Sequence, residues 1–191
     1  MSQPILCFLD VETTGTNPAR HGIIQIGGVI TVQEGGGIRD LEEFSFDVAP
    51  YPADEIEDEA LLVTGVTREQ LKGFMAATAA HRSLTGVFEK HCDKYDKTDK
   101  MIFVGFNAPF DYGFLRRWFE KAGDKYFGSW FWYPPVDVMC LAMLRLVPVR
   151  HEMTDFKLAT VAARLGVPFK NAHQALADVR ATKAIFELVR Q

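Results

Sequence analysis

The chain has 191 residues, 48% hydrophobic and 24% charged, which fits a single globular domain, 1–191, with a sizeable core. A formal net charge of −4 argues against a protein that holds duplex nucleic acid mainly through its phosphates, which needs a basic surface. No apolar run approaches the ~20 residues of a membrane span. Met1-Ser2-Gln3-Pro4 lacks the basic start of a secretory signal. The three scattered cysteines, Cys7, Cys92 and Cys140, suggest neither a disulfide framework nor a zinc site, so a reducing, cytoplasmic location is expected.

In chain order, Ile5-Leu6-Cys7-Phe8-Leu9 reads as a buried strand ending in the turn Asp10-Val11-Glu12-Thr13-Thr14-Gly15. Residues 23–32 are β-rich and precede Gly35-Gly36-Gly37, and residues 41–48 alternate loosely. Together they predict an antiparallel meander. Residues 50–59 are acidic and read as a surface loop. Residues 58–63 and 67–71 predict short helices, the second opened by the capping box Thr67-Arg68-Glu69-Gln70. A helix over 76–95 and a charged connection to Lys100 lead to the apolar strand 101–106. Asn107-Ala108-Pro109 opens a helix to about Ala122, with Phe110, Phe114, Leu115, Trp118 and Phe119 along one face. Residues 123–135 are aromatic and irregular. Helices are expected over 136–146, 158–165 and 174–190. Strands early and strand–helix units later predict a mixed sheet with helices packed on it.

Asp10 and Glu12 stand at i and i+2, so on an extended chain they share a face. Like charges on a buried strand are costly unless a cation lies between them. Hard divalent ions with oxygen ligands, Mg²⁺ or Mn²⁺, are the natural choice. Taken alone, the pair is better explained as solvated turn residues. Asp111 sits in the first turn of a helix, where a carboxylate is favoured anyway, but it also follows a strand's carboxyl end, where sites of α/β sheets gather. His173 and Asp178 are five residues apart, about 140° on an ideal helix. His173 is therefore expected in the loop or first turn, and Asp178 within the helix beside Leu176 and Val179. The combination is far more specific than its parts. Four acids brought to one sheet would repel, and two divalent ions would reconcile them.

These residues resemble the DEDD exonuclease superfamily in its histidine-bearing branch (DEDDh), the branch of ribonuclease T-like enzymes. Residues 8–15, Phe-Leu-Asp-Val-Glu-Thr-Thr-Gly, match the first motif. Residues 105–111, Gly-Phe-Asn-Ala-Pro-Phe-Asp, resemble the second. His173-Gln174-Ala175-Leu176-Ala177-Asp178 has the H-x4-D pattern of the third. Thr64-Gly65-Val66, Val136-Asp137-Val138 and residues 158–166 add smaller similarities. The resemblance spans nearly the whole chain. It implies an α/β, ribonuclease H-like fold with a mixed five-stranded central sheet flanked by helices. It also implies 3′→5′ hydrolysis of single-stranded DNA or RNA by a two-metal mechanism, releasing nucleoside 5′-monophosphates.

By this resemblance Asp10, Glu12, Asp111 and Asp178 hold two Mg²⁺ ions, with Mn²⁺ as a substitute, and His173 is the general base. Thr13, Phe110 and Asn107 are the expected substrate contacts, while Phe114 reads as core. The family often carries Glu where Gln25 stands; that position is not one of the five signature residues. The cluster Trp130-Phe131-Trp132-Tyr133 has three readings: a wedge against substrate, a homodimer contact, or a cover on the sheet edge. Arg116, Arg117 and Lys121 read as a solvated helix face. The chain ends soon after Asp178 without a visible tether, so no polymerase partner is expected. The alternative function is a non-catalytic or partner-dependent subunit that keeps the fold.

Overall fold

The computed structural model describes residues 3–170 and 172–190. Its centre is a six-stranded mixed sheet in the order β4-β3-β2-β1-β5-β6. Strands β1 (Ile5–Thr13), β2 (Ile23–Glu34) and β3 (Gly37–Ala49) form the expected antiparallel meander. Strand β5 (Met101–Gly105) runs parallel to β1, and β6 (Phe131–Asp137) runs parallel to β5. The two-residue strand β4 (Met75–Ala76) lies parallel to the end of β3.

The sheet thus has six strands where five were expected. Strand β6 falls in the segment read as irregular because Pro134 and Pro135 remove two ladder donors. Proline is tolerated on an edge strand, and β6 is one, with its register shifting between Ile102 and Val104. The first strand also continues past Leu9, so Asp10 and Glu12 belong to it rather than to a turn.

Side-chain parity along β1 divides the core. Cys7, Leu9 and Val11 face one layer, made of α3 (Ala77–Phe88), α4 (Ala108–Lys121) and α5 (Phe127–Trp130). Leu6 and Phe8 face the other, made of α6 (Val138–Leu146), α7 (Leu158–Leu165) and α8 (Ala175–Val189). Asp10 and Glu12 continue the Leu6–Phe8 parity, so the two acids point toward the layer that contains α8. Helices α1 (Asp58–Thr64) and α2 (Arg68–Leu71) precede β4, and α2 carries the expected capping box between Thr67 and Gln70.

Helix α3 stops at Phe88 rather than near Tyr95. Beyond it, the carboxylates of Asp93 and Asp96 accept from the backbone amides of Tyr95 (2.9 Å) and Thr98 (2.7 Å). Such local turns compete with a helix. The aromatic cluster is split: Trp130 and Phe131 are core, while Trp132 and Tyr133 are exposed on the edge strand. Arg116 and Arg117 are solvated and pair with Glu120, as expected. Lys121 is instead half-buried and bonds the His21 carbonyl (2.8 Å) and the buried Asp54 carboxylate. Cys7 and Cys92 are buried free thiols and Cys140 is exposed. Among the described residues no helix is long and apolar enough to cross a membrane.

Candidate active site

The site forms where β1 and β5 part. Their pairing ends at Phe8 and Val104, so the later amides of β1 on that side have no strand partner. Asp111, in the first turn of α4, fills the gap: its Oδ1 accepts from the Val11 amide at 3.1 Å. This explains an almost fully buried carboxylate, 3% exposed. Pro109 suits the first turn of α4. Asn107, just before the helix, adopts the left-handed conformation (φ 63°), which asparagine tolerates better than most residues. Its backbone N–H donates to Asp137 Oδ1 at 2.9 Å, and the same oxygen caps α6 by accepting from the Met139 backbone N–H at 3.0 Å.

The third group comes from α8. His173 lies in the turn before the helix, exposed and with φ 65°, and Asp178 is one turn inside. His173 and Asn107 are the non-glycine residues with positive φ among those described, and both flank the acids. Such strain, about 1–2 kcal/mol per residue, tends to collect at functional sites. One ligand atom each from Glu12, His173 and Asp178 lies within 4.8 Å of the others. Oδ1 of Asp178 is buried and without a hydrogen-bond partner.

Electrostatics follow from this crowding. Burial, then repulsion from Asp111, Asp178 and Glu12, holds the Asp10 carboxyl well above the ordinary carboxylate range. Burial pushes Glu12 up to about 7, with Asp178 adding to it. Asp178 is also pushed up to about 7 by burial, against a backbone hydrogen bond from His173. Asp111 is raised by burial, although the Val11 amide opposes the shift. All four acids are therefore short of positive charge. An orphaned oxygen beside crowded, hard oxygen donors is what a divalent cation satisfies, so the residues fit such an ion.

A cleft of ≈ 330 Å³ opens beside Glu12. Thr13, Gly15 and Glu57 line it, with Val63 of α1 and Phe110 of α4. Thr13 and Phe110 thus line the cleft together with Glu12; Phe114 is core, and Asn107 is not among the lining side chains. The turn after Thr13 is braced from behind. Thr14 Oγ1 donates to the Glu55 carbonyl (2.6 Å) and accepts from the Gly22 amide (2.9 Å). The buried His21 ring leaves no room for a side chain at Gly15, where a Cβ would lie 2.5 Å from it. Its Nδ1 accepts from the Asn17 amide at 2.9 Å, which places the ring proton on Nε2, 3.0 Å from Glu57.

His21 and Glu57 carry no signal in the sequence. Each acts through a partner remote in the chain or through a turn that periodicity does not encode. Asp137 had one visible cue, the fragment Val136-Asp137-Val138 ahead of a helix, but nothing local that ties it to Asn107.

Residues 7–186 match the family described as Exonuclease. The chain belongs to this exonuclease family. It is 32% identical over 179 residues to DNA polymerase III PolC-type of Thermotoga petrophila, covering 93% of this chain but 11% of the polymerase. It is 26% identical over 182 residues to ribonuclease T of Shewanella sp. (strain ANA-3), covering 93% of this chain and 78% of that enzyme. Among solved structures, E. coli Exonuclease I in complex with a dT13 oligonucleotide superposes with a TM-score of 0.79 at 23% identity, over 99% of this chain and 41% of that one. The last likeness is one of fold, the ribonuclease H-like α/β fold. The chain thus spans a small part of the polymerase, less than half of Exonuclease I and most of ribonuclease T.

Proposed function

We propose that this protein is a 3′→5′ exonuclease that removes nucleotides one at a time from the end of a single-stranded nucleic acid. The observation that carries the reading is the meeting of four charge-starved carboxylates with His173 beside a cleft that could take a terminal nucleotide. Asp10, Glu12, Asp111 and Asp178 would hold divalent cations, Mg²⁺ or Mn²⁺. When bound, a pair of such ions would stabilise the charge on the attacking and leaving oxygens of an in-line displacement and make a water more acidic.

The chain's own residues do the rest. His173, on an exposed turn, would take the water's proton as general base. Phe110 offers an aromatic face for the terminal base, and aromatic stacking tolerates any base. The Thr13 backbone, braced through Thr14 and His21, sets the floor on which the terminal sugar rests. Bond cleavage on the 5′ side of the terminal phosphate yields a nucleoside 5′-monophosphate and a shortened strand.

The test is digestion of 3′- and 5′-labelled DNA and RNA of matched sequence with Mg²⁺, with Mn²⁺ and with EDTA. A metal-dependent ladder that shortens from the 3′ end supports the proposal, and the faster substrate fixes the sugar preference. No cleavage by folded protein with metal present refutes it. The similarity to a stretch of a replicative polymerase favours a second reading, a proofreading module whose activity matters within a larger assembly. Activity of the isolated chain on single strands separates the two.

A further inference from the structure

Helix α8 carries His173 at its entrance and Asp178 one turn in, yet it begins without a cap of its own. Gln174, at the cap position, makes no side-chain hydrogen bond to the helix. The missing acceptor comes from across the sheet: Gln25 Oε1 accepts from the Ala175 amide at 2.6 Å. The orientation of the Gln25 amide is fixed from its other end, where Nε2 donates to Asp47 Oδ1 at 2.8 Å. Gln25 stands opposite Glu12 on one side and Asp47 on the other. Residues directly opposite on neighbouring strands share a face. The row Asp47–Gln25–Glu12 therefore runs under the start of α8, with the neutral amide between two carboxylates. Two positions along β2, Gly27 lets the helix backbone down onto the sheet; a Cβ there would lie 2.5 Å from the Leu176 amide nitrogen.

We infer that Gln25 is a positioning residue: as a cap supplied from β2 and oriented by Asp47, it sets where His173 and Asp178 stand relative to Glu12. The inference rests on the catalytic reading of His173 and Asp178. It differs from a purely structural cap because the hydrogen bond joins the strand that pairs with Glu12 to the helix that carries the other two groups. Its removal is expected to act on the spacing of the site.

The experiment compares wild type with Gln25→Leu, Gln25→Glu and the double variant Gln25→Glu/Asp47→Asn, by kcat and KM on a single-stranded oligonucleotide at saturating Mg²⁺ and well below each variant's Tm. Gln25→Leu removes the acceptor and is expected to lower kcat about 10- to 100-fold, the usual cost of losing a partner that orients a metal-site residue, with KM within about threefold. Gln25→Glu keeps an acceptor for Ala175 but sets a third carboxylate between Asp47 and Glu12, so it recovers only part of the loss. In the double variant the introduced asparagine amide donates to the introduced glutamate carboxylate, reversing the direction of that hydrogen bond, and kcat returns to within about threefold of wild type. A Gln25→Leu protein with wild-type kcat, or a double variant no faster than Gln25→Leu, overturns the inference. If wild type itself cleaves nothing, the functional reading fails instead.

Discussion

Replacing Asp178 by Asn is expected to stabilise the metal-free protein while abolishing its activity. In the native fold the Asp178 carboxyl is pushed from 3.8 up to about 7. A raised carboxyl favours the folded state while it is protonated, and that contribution is lost as pH rises from the unfolded value through the folded one. At pH 8 the metal-free wild type therefore bears a penalty of at most about 4 kcal/mol, from roughly three pH units at 1.36 kcal/mol each. The shift comes from burial and the group keeps some water contact, so about 1–3 kcal/mol is the working figure after discounting for solvent screening. For a chain of this length that is roughly 3–10 °C in Tm. The assay is thermal unfolding in EDTA at pH 8 and near pH 4, then at pH 8 with Mg²⁺. Asp178→Asn should melt higher than wild type in EDTA at pH 8, and the gap should close toward pH 4. Mg²⁺ should raise wild type much more than the variant, because a ligand stabilises only the state it binds. Equal melting in EDTA at pH 8, or equal responses to Mg²⁺, would refute the reasoning.

The remaining perturbations test neighbouring parts of the site. His173→Ala is expected to slow turnover on the order of 10²–10⁴-fold and to keep the Mg²⁺-induced rise in Tm; loss of that rise would make His173 a ligand rather than a base. Phe110→Ala removes the aromatic wall of the cleft and should raise KM for homopolymer substrates by roughly 5- to 150-fold, from about 1–3 kcal/mol of stacking per base. An unchanged KM in steady-state kinetics would place the base elsewhere. Gly27→Ala forces a methyl against the α8 backbone and should cost about 1–3 kcal/mol by denaturant unfolding, with turnover falling alongside. A fully stable, fully active Gly27→Ala protein would mean that the helix start does not rest on β2 as described.

Much of the fold was legible because its signals are local. Apolar runs marked β1, β2 and β5, and Asn107-Ala108-Pro109 marked the start of α4 within a residue. Strand β6 was not legible, since two prolines spoil its pattern and only its place at the edge makes it a strand. Strand β4 is two residues long and exists through its pairing with Val48 and Ala49. The end of α3 was overshot because helix periodicity says nothing of side chains such as Asp93 and Asp96, which hold the backbone in turns.

The acids were legible for a different reason: the cost of gathering all of them at one sheet, since each alone had a bland explanation. A same-face carboxylate pair on an apolar strand has no ready structural explanation once the strand continues through it, as β1 does. The residues that hold the acids in place carry no such cost and left at most a faint mark. Thr14, Gln25 and Asp137 are ordinary polar residues whose meaning lies in partners about 8–150 positions away. A sequence therefore advertises groups whose burial strains a fold and conceals those that merely orient them. Gln25 is the clearest instance: the sequence marks it only as a departure from a glutamate the family often carries, but between Asp47 and the Ala175 amide it joins the meander that carries Glu12 to the helix that carries Asp178. That join, like the Asp111 bond to the Val11 amide, brings elements from distant parts of the chain to one place.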